Sequence, residues 1–138
     1  MRSLILILTI ILIPNVGNAE NWVLVGADVH AKFYVDLESI MFDQNDKEVI
    51  LVSKKGIYTQ IMTERLDGKL TAFKETIGKV EIDCHLRVNR VSKIDMLNEF
   101  GVIVWSSGQM KRRPWEGVRA NTHAEATLDT VCDYLSDI

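Results

Sequence analysis

The side chains best suited to chemistry are two cysteines (Cys84 and Cys132), three histidines (His30, His85 and His123) and the run Lys111-Arg112-Arg113-Pro114-Trp115. A cysteine pair can close a disulfide, hold a metal or attack a substrate, and compartment and spacing decide which. No two histidines stand at a ligand spacing such as His-x-x-x-His, so no metal site is expected. Asp83 and His85 fall on one face of an alternating segment, and Ser39, Ser53, Ser92, Ser106 or Ser107 could in principle complete a hydrolytic triad. The chain has no Gly-x-Ser-x-Gly elbow, so a small hydrolase is the remote alternative and no enzyme is expected. Its eight glycines are scattered, without a phosphate-cradling pattern, and no cofactor is expected. The candidate binding loop is therefore Lys111, Arg112, Arg113 and Trp115. Three cations beside an aromatic ring can grip an acidic glycan or an anionic protein patch by charge and stacking. The competing reading leaves the cations solvated and folds Trp115 back on the core.

The cysteines gain meaning from the start of the chain. Leu4 to Ile13 is an apolar run of ten interrupted only by Thr9, ended by Pro14 and followed by the small residues Gly17-Asn18-Ala19. Such a run is too short for a bilayer, which needs about 20 apolar residues, but it suits a secretory signal peptide. Residues 1–19 are expected to be a signal peptide cleaved after Ala19, leaving residues 20–138 as one exported domain. The leader has no cysteine, so no lipoprotein anchor is expected. In an exported chain, a lone cysteine pair reads as a structural disulfide. Losing Arg2 leaves 15 basic against 19 acidic residues, a formal charge of −4, which argues against nucleic acid. No second apolar stretch reaches spanning length, and no repeat or linker divides residues 20–138.

The elements that must position these residues read mostly as strands. Trp22-Val23-Leu24-Val25 ends at Gly26, and Lys32 to Asp36 alternates. Asp43-Gln44-Asn45-Asp46 is a turn cluster, and Val49-Ile50-Leu51-Val52 is apolar on both faces, as in a central strand. Residues 57–74 are β-prone around a turn at Asp67-Gly68 and read as a hairpin. Val80 to Val88 alternates cleanly, with Ile82, Cys84, Leu86 and Val88 on one face. A parity slip between Val88 and Val91 predicts a bulge or a bend. Asn98 to Gly101 is a turn into Val102-Ile103-Val104-Trp105. Thr122-His123-Ala124-Glu125 then fits a capping box, and Leu128, Val131, Cys132 and Leu135 recur at helical spacing. Cys84 and Cys132 thus lie on two buried faces that meet when the helix packs on the sheet, which predicts the bond between them. One short helix covers one face only, so the other is expected to meet loops, a second copy in a homodimer, or a partner.

Trp22, Phe33-Tyr34-Val35-Asp36 with Ser39-Ile40, the Val49–Val52 strand, Glu81-Ile82-Asp83-Cys84, Trp115 and Val131-Cys132 occur in an order that resembles the surface-adhesin protein E-like domain family of Gram-negative bacteria. The resemblance spans almost all of residues 20–138. It implies an α+β fold: an antiparallel β-sheet of about six strands, with a C-terminal α-helix packed on one face and disulfide-linked to the sheet. It also implies an exported, non-enzymatic binding module in the periplasm or on the cell surface, in the namesake an adhesin for host extracellular-matrix proteins. The alternative is a periplasmic envelope structural or assembly factor acting by self-association.

Overall fold

The computed structural model describes residues 20–138. The proposed signal peptide, residues 1–19, lies outside the described residues. Six strands follow one another in both sequence and space: β1 (Trp22–Ala27), β2 (Ala31–Phe42), β3 (Val49–Leu66), β4 (Lys69–Asp83), β5 (Val88–Leu97) and β6 (Ile103–Ser106). Every neighbouring pair is antiparallel. A two-residue β7 (Glu116–Gly117) pairs with the start of β5, and α1 (His123–Ser136) closes the chain. The expected α+β architecture is the observed one.

Local chemistry explains the meander. Asp67 and Gly68 both take positive φ, 52° and 76°, as a two-residue hairpin turn requires, and residues 57–74 accordingly form the far end of the β3–β4 hairpin. The Asp43 carboxylate accepts from the amides of Asn45 and Asp46, and the Asn98 side chain accepts from those of Phe100 and Val102. Both act as local backbone mimics at turns. The predicted bulge falls a residue later than expected. Val80 pairs with Val91 but Lys79 pairs with Lys93, which leaves Ser92 as the extra residue of β5.

The alternation from Val80 to Val88 does not form one strand. β4 ends at Asp83, residues 84–87 turn, and Val88 opens β5. The Asp83 carboxylate accepts from the Leu86 amide and Arg87 takes a φ of 53°, so Leu86 stands exposed instead of facing the core. The turn also reverses parity: Val88 stands opposite Asp83 and shares its face, away from that of Ile82, although the sequence alternates without a break. Cys84, the first residue past β4, still reaches the helix.

The core lies between α1 and the near ends of β1 to β4, built from Val25, Val35, Ile50, Val52, Val80, Ile82, Leu128 and Val131. Gly26 lies directly beneath the helix start. A Cβ there would come within 3.1 Å of the His123 Cβ, so a side chain at this position would require the helix start to move by a few tenths of an ångström. Thr122 caps α1 through the Glu125 amide at 3.2 Å, as the capping box predicts. The return bond comes instead from the Asn121 amide to Glu125 Oε1. Cys84 and Cys132 are bonded, with Cα atoms 5.9 Å apart, and fasten the sheet to α1.

Of the covers expected for the outer face, a loop is present: the segment through Trp115 lies over Arg90. Residues directly opposite on paired strands share a face, so Leu24, Tyr34, Lys55, Ile77, Asp95 and Ser106 form one row across it. Lys79, Lys93, Glu81 and Arg90 occupy the adjoining rows. Adjacent buried apolar residues on both faces occur at Val49–Ile50 in β3 and at Met96–Leu97 in β5. The row from Leu24 to Ser106 mixes apolar Leu24 and Ile77 with polar Lys55, Asp95 and Ser106.

Candidate functional site

The cationic run lies on a strap that crosses from β6 to β7 and is tied down along its length. The Ser107 amide donates to the Ile94 carbonyl (2.9 Å), and the Met110 amide to the Ser92 carbonyl (2.8 Å), so the strap leaves β6 alongside β5. At its far end, Glu116 and Gly117 pair with Asn89 and Val88. Between these ties, Lys111, Arg112 and Arg113 are exposed while Trp115 is half-buried.

Arg90 makes the middle tie. Its guanidinium stacks over the Trp115 ring, 4.0 Å from the centroid, and its Nη1 donates to the Arg113 carbonyl at 3.2 Å. Its Nε pairs with Glu81 Oε2 across the strands, where only 9% of the Arg90 side chain and 12% of the Glu81 side chain meet solvent. A buried cation is tolerable only when its charge and its donors are satisfied. Here a carboxylate, a carbonyl and a ring satisfy them. The cation on Trp115 is therefore Arg90, not one of the three beside it in sequence. With Trp115 occupied, the arginine and lysine heads of the strap face outward together.

Sequence reasoning missed Arg90 and Glu81 because, on an alternating strand, both read as solvated positions. The usable signal was Trp115: an aromatic on a polar loop needs something to rest on, and a polar strand face offers long cationic side chains for that purpose.

The other candidates separate. Asp83 is spent on its turn and His85 is exposed within it, so the two no longer share a strand face. Ser39 bonds the Asp36 carbonyl and accepts from the Ser53 amide, and Ser106 bonds Asp95. Ser92 reaches the Lys79 carbonyl and Ser107 accepts from the Ile94 amide. No serine pairs with His85 among the described residues. Nor does any group of three His, Cys, Asp or Glu side chains among them form a cation site.

His123 was set aside in sequence as a helix-start residue, yet it has specific neighbours. Its ring stacks on Phe33 with centroids 4.0 Å apart, and Nδ1 lies 2.6 Å from Lys54 Nζ. Burial, then the Lys54 charge, hold the imidazole below its ordinary value, against a smaller opposing pull from Asp28. Lys54 is drawn down to about 8 by burial. A neutral imidazole accepting from a lysine ammonium fits both directions.

Among the described residues no helix is long and apolar enough to cross a membrane. The sequence pattern of the family described as Surface-adhesin protein E matches residues 22–133. The chain belongs to that family. Its fold is similar to that of Haemophilus influenzae protein E, with a TM-score of 0.60 and 13% identity over 85% of this chain and 87% of that one. A second crystal form of protein E aligns with a TM-score of 0.52 and 14% identity, covering 75% of this chain and 82% of that one. No curated protein matches the chain by sequence.

Proposed function

We propose that this chain is an exported, non-catalytic adhesive module. Residues 1–19 serve as its signal peptide, residues 20–138 as its single domain, and the strap Lys111–Trp115 as its contact surface for acidic host extracellular-matrix proteins or glycans. Family membership supports the adhesin class. The observation that carries the site is the strap itself: three exposed cations on backbone anchored at both ends and in the middle. Preorganised charge costs less ordering on binding than charge on a free loop, and clustered cations attract an acidic surface at a distance.

The test is surface plasmon resonance of residues 20–138 over immobilised heparin and matrix proteins. Binding is expected to weaken as salt rises and to be lost in Lys111→Glu/Arg112→Glu/Arg113→Glu, with the melting temperature unchanged. Binding by the triple variant equal to that of the native chain would retire the strap as the contact surface. Protease accessibility on intact cells checks the surface location.

A second reading, self-association in the envelope, is favoured by one feature. The β6 edge leaves Val102, Ile103 and Val104 exposed beside unpaired backbone. Light scattering of the purified domain decides it: a concentration-independent monomer removes this reading.

A further inference from the structure

α1 packs chiefly over β1 and β2 and reaches β3 and β4 only at their near ends. Beyond the helix start the face opens into a groove of about 450 Å³. Phe33, Tyr58, Val80, Val91, Ile94 and Met96 give it apolar walls. Its floor is kept low by two glycines on adjoining rows, Gly78 opposite Lys54 and Gly56 opposite Thr76. A Cβ at Gly56 would lie 3.0 Å from both Phe33 and Thr76, so this depth depends on the missing side chain. The volume lies in the range of small-molecule sites, roughly 300–1,000 Å³.

One end of the groove is charged. The half-buried Lys54 amine faces the neutral ring of His123, and among the described residues no carboxylate lies within ion-pair distance of it. The two carboxylates that line the groove, Glu64 and Glu116, make no ion pair with Lys54. Burial has stripped water from this ammonium, yet at neutral pH it remains largely protonated. The first turn of α1, with the positive end of the helix dipole, stands beside it through His123 and Ala124. A cation without a counterion, at the end of an apolar channel, selects an anion attached to an apolar body. We propose that this groove binds a small amphiphile with an aliphatic body and one carboxylate, the carboxylate pairing with Lys54 and the body lying over Gly56 and Gly78. The bond formed is a charge-assisted hydrogen bond, the strong kind that a neutral head group cannot match.

The experiment is isothermal titration of residues 20–138 with octanoate, octanol and octylamine. Octanoate is expected to bind at one site, roughly tenfold or more tighter than octanol, as a charged hydrogen bond implies, with octylamine weakest. Lys54→Met, which keeps the bulk and removes the charge, is expected to weaken octanoate by about the same factor and leave octanol unchanged. Ala124→Phe, which fills the groove from the helix side, is expected to weaken both. No octanoate binding, octylamine binding as tight as octanoate, or full octanoate affinity in folded Lys54→Met would each overturn the proposal. Should Lys54→Met fail to fold, the acid, alcohol and amine series on the native chain decides alone.

Discussion

Removing the disulfide is the sharpest test of how this fold is held. Cys84 and Cys132 are 48 residues apart, and on the chain-entropy relation a loop of that length stabilises by about 4 kcal/mol. The bond matters beyond that figure because of what it fastens. α1 has 14 residues, and a helix of that length is marginal on its own in water. Apart from the disulfide it is held by a stripe in which Leu128 and Val131 are fully buried. Cys84→Ala/Cys132→Ala should therefore lose about 4 kcal/mol in urea unfolding at neutral pH. At about 4 °C per kcal/mol for a domain of this size, the melting temperature should fall by about 15 °C. Reductant on the native chain should produce the same shift. In hydrogen exchange, the α1 amides should lose protection before those of β3 and β4, because the sheet keeps its own ladders. A double variant within about 1 kcal/mol of the native chain, and a native chain indifferent to reductant, would refute the reasoning. The apolar stripe alone would then hold the helix.

Arg90→Met leaves Glu81 charged and mostly buried without its partner, and should cost about 3 kcal/mol in denaturant unfolding; adding Glu81→Leu should restore most of it, and failure to restore would mean that the strap contacts, not the ion pair, set the cost. Lys54 is drawn from 10.5 in the unfolded chain to about 8 in the fold, so the unfolded state holds more protons between those values. Stability should thus rise with pH from about 8 to about 10.5, and the charge costs most below pH 8. Two and a half units correspond to about 3 kcal/mol, about half of that once solvent screening of a half-buried amine is allowed for. The difference in unfolding free energy between Lys54→Met and the native chain cancels Asp28, Glu64 and Glu116, and His123, released from the Lys54 charge in the variant, alters it only around and below its ordinary value of 6.5. It should favour the variant at pH 7 and vanish above about 10.5; a flat difference would show that the lysine is not desolvated.

The sheet and helix were legible because their signals are local. Alternation sets which strand residues face inward, Thr122 and Glu125 mark the helix start, and the apolar stripe through Cys132 points that thiol at the sheet. The end of β4 was not legible. Asp83 and Arg87 bend the chain by side-chain capping and a left-handed backbone, and neither interrupts a pattern of period two. Val49–Val52 was no guide to the whole strand, because it lies at the helix-covered end and the remaining residues of β3 are more exposed. Of the candidate site, the cations were visible and their support was not. Arg90 meets Trp115 only because the strap folds back over β5, a long-range contact with no trace in spacing.

A single short helix sets the terms for everything else on this sheet. At 1.5 Å per residue, α1 is about 21 Å long, whereas the 18 residues of β3 extend, at about 3.3 Å each, to nearly three times that. The fully buried side chains accordingly belong to β2, β3, β4 and α1 near the disulfide. At the other end, Ile61, Met62 and Leu70 stand exposed on the β3–β4 hairpin. Burial of apolar surface is what stabilises a domain of this size, so the stabilising contacts gather at the disulfide end of the strands and the exposed hairpin lies at the other. The groove lies on the boundary, where the helix stops and the sheet continues. The strap lies on the outer face, where no helix packs. The groove is thus the part of the helix-side face that α1 is too short to cover, whereas the strap is held by Arg90 and Glu81, close to the disulfide but on the opposite face.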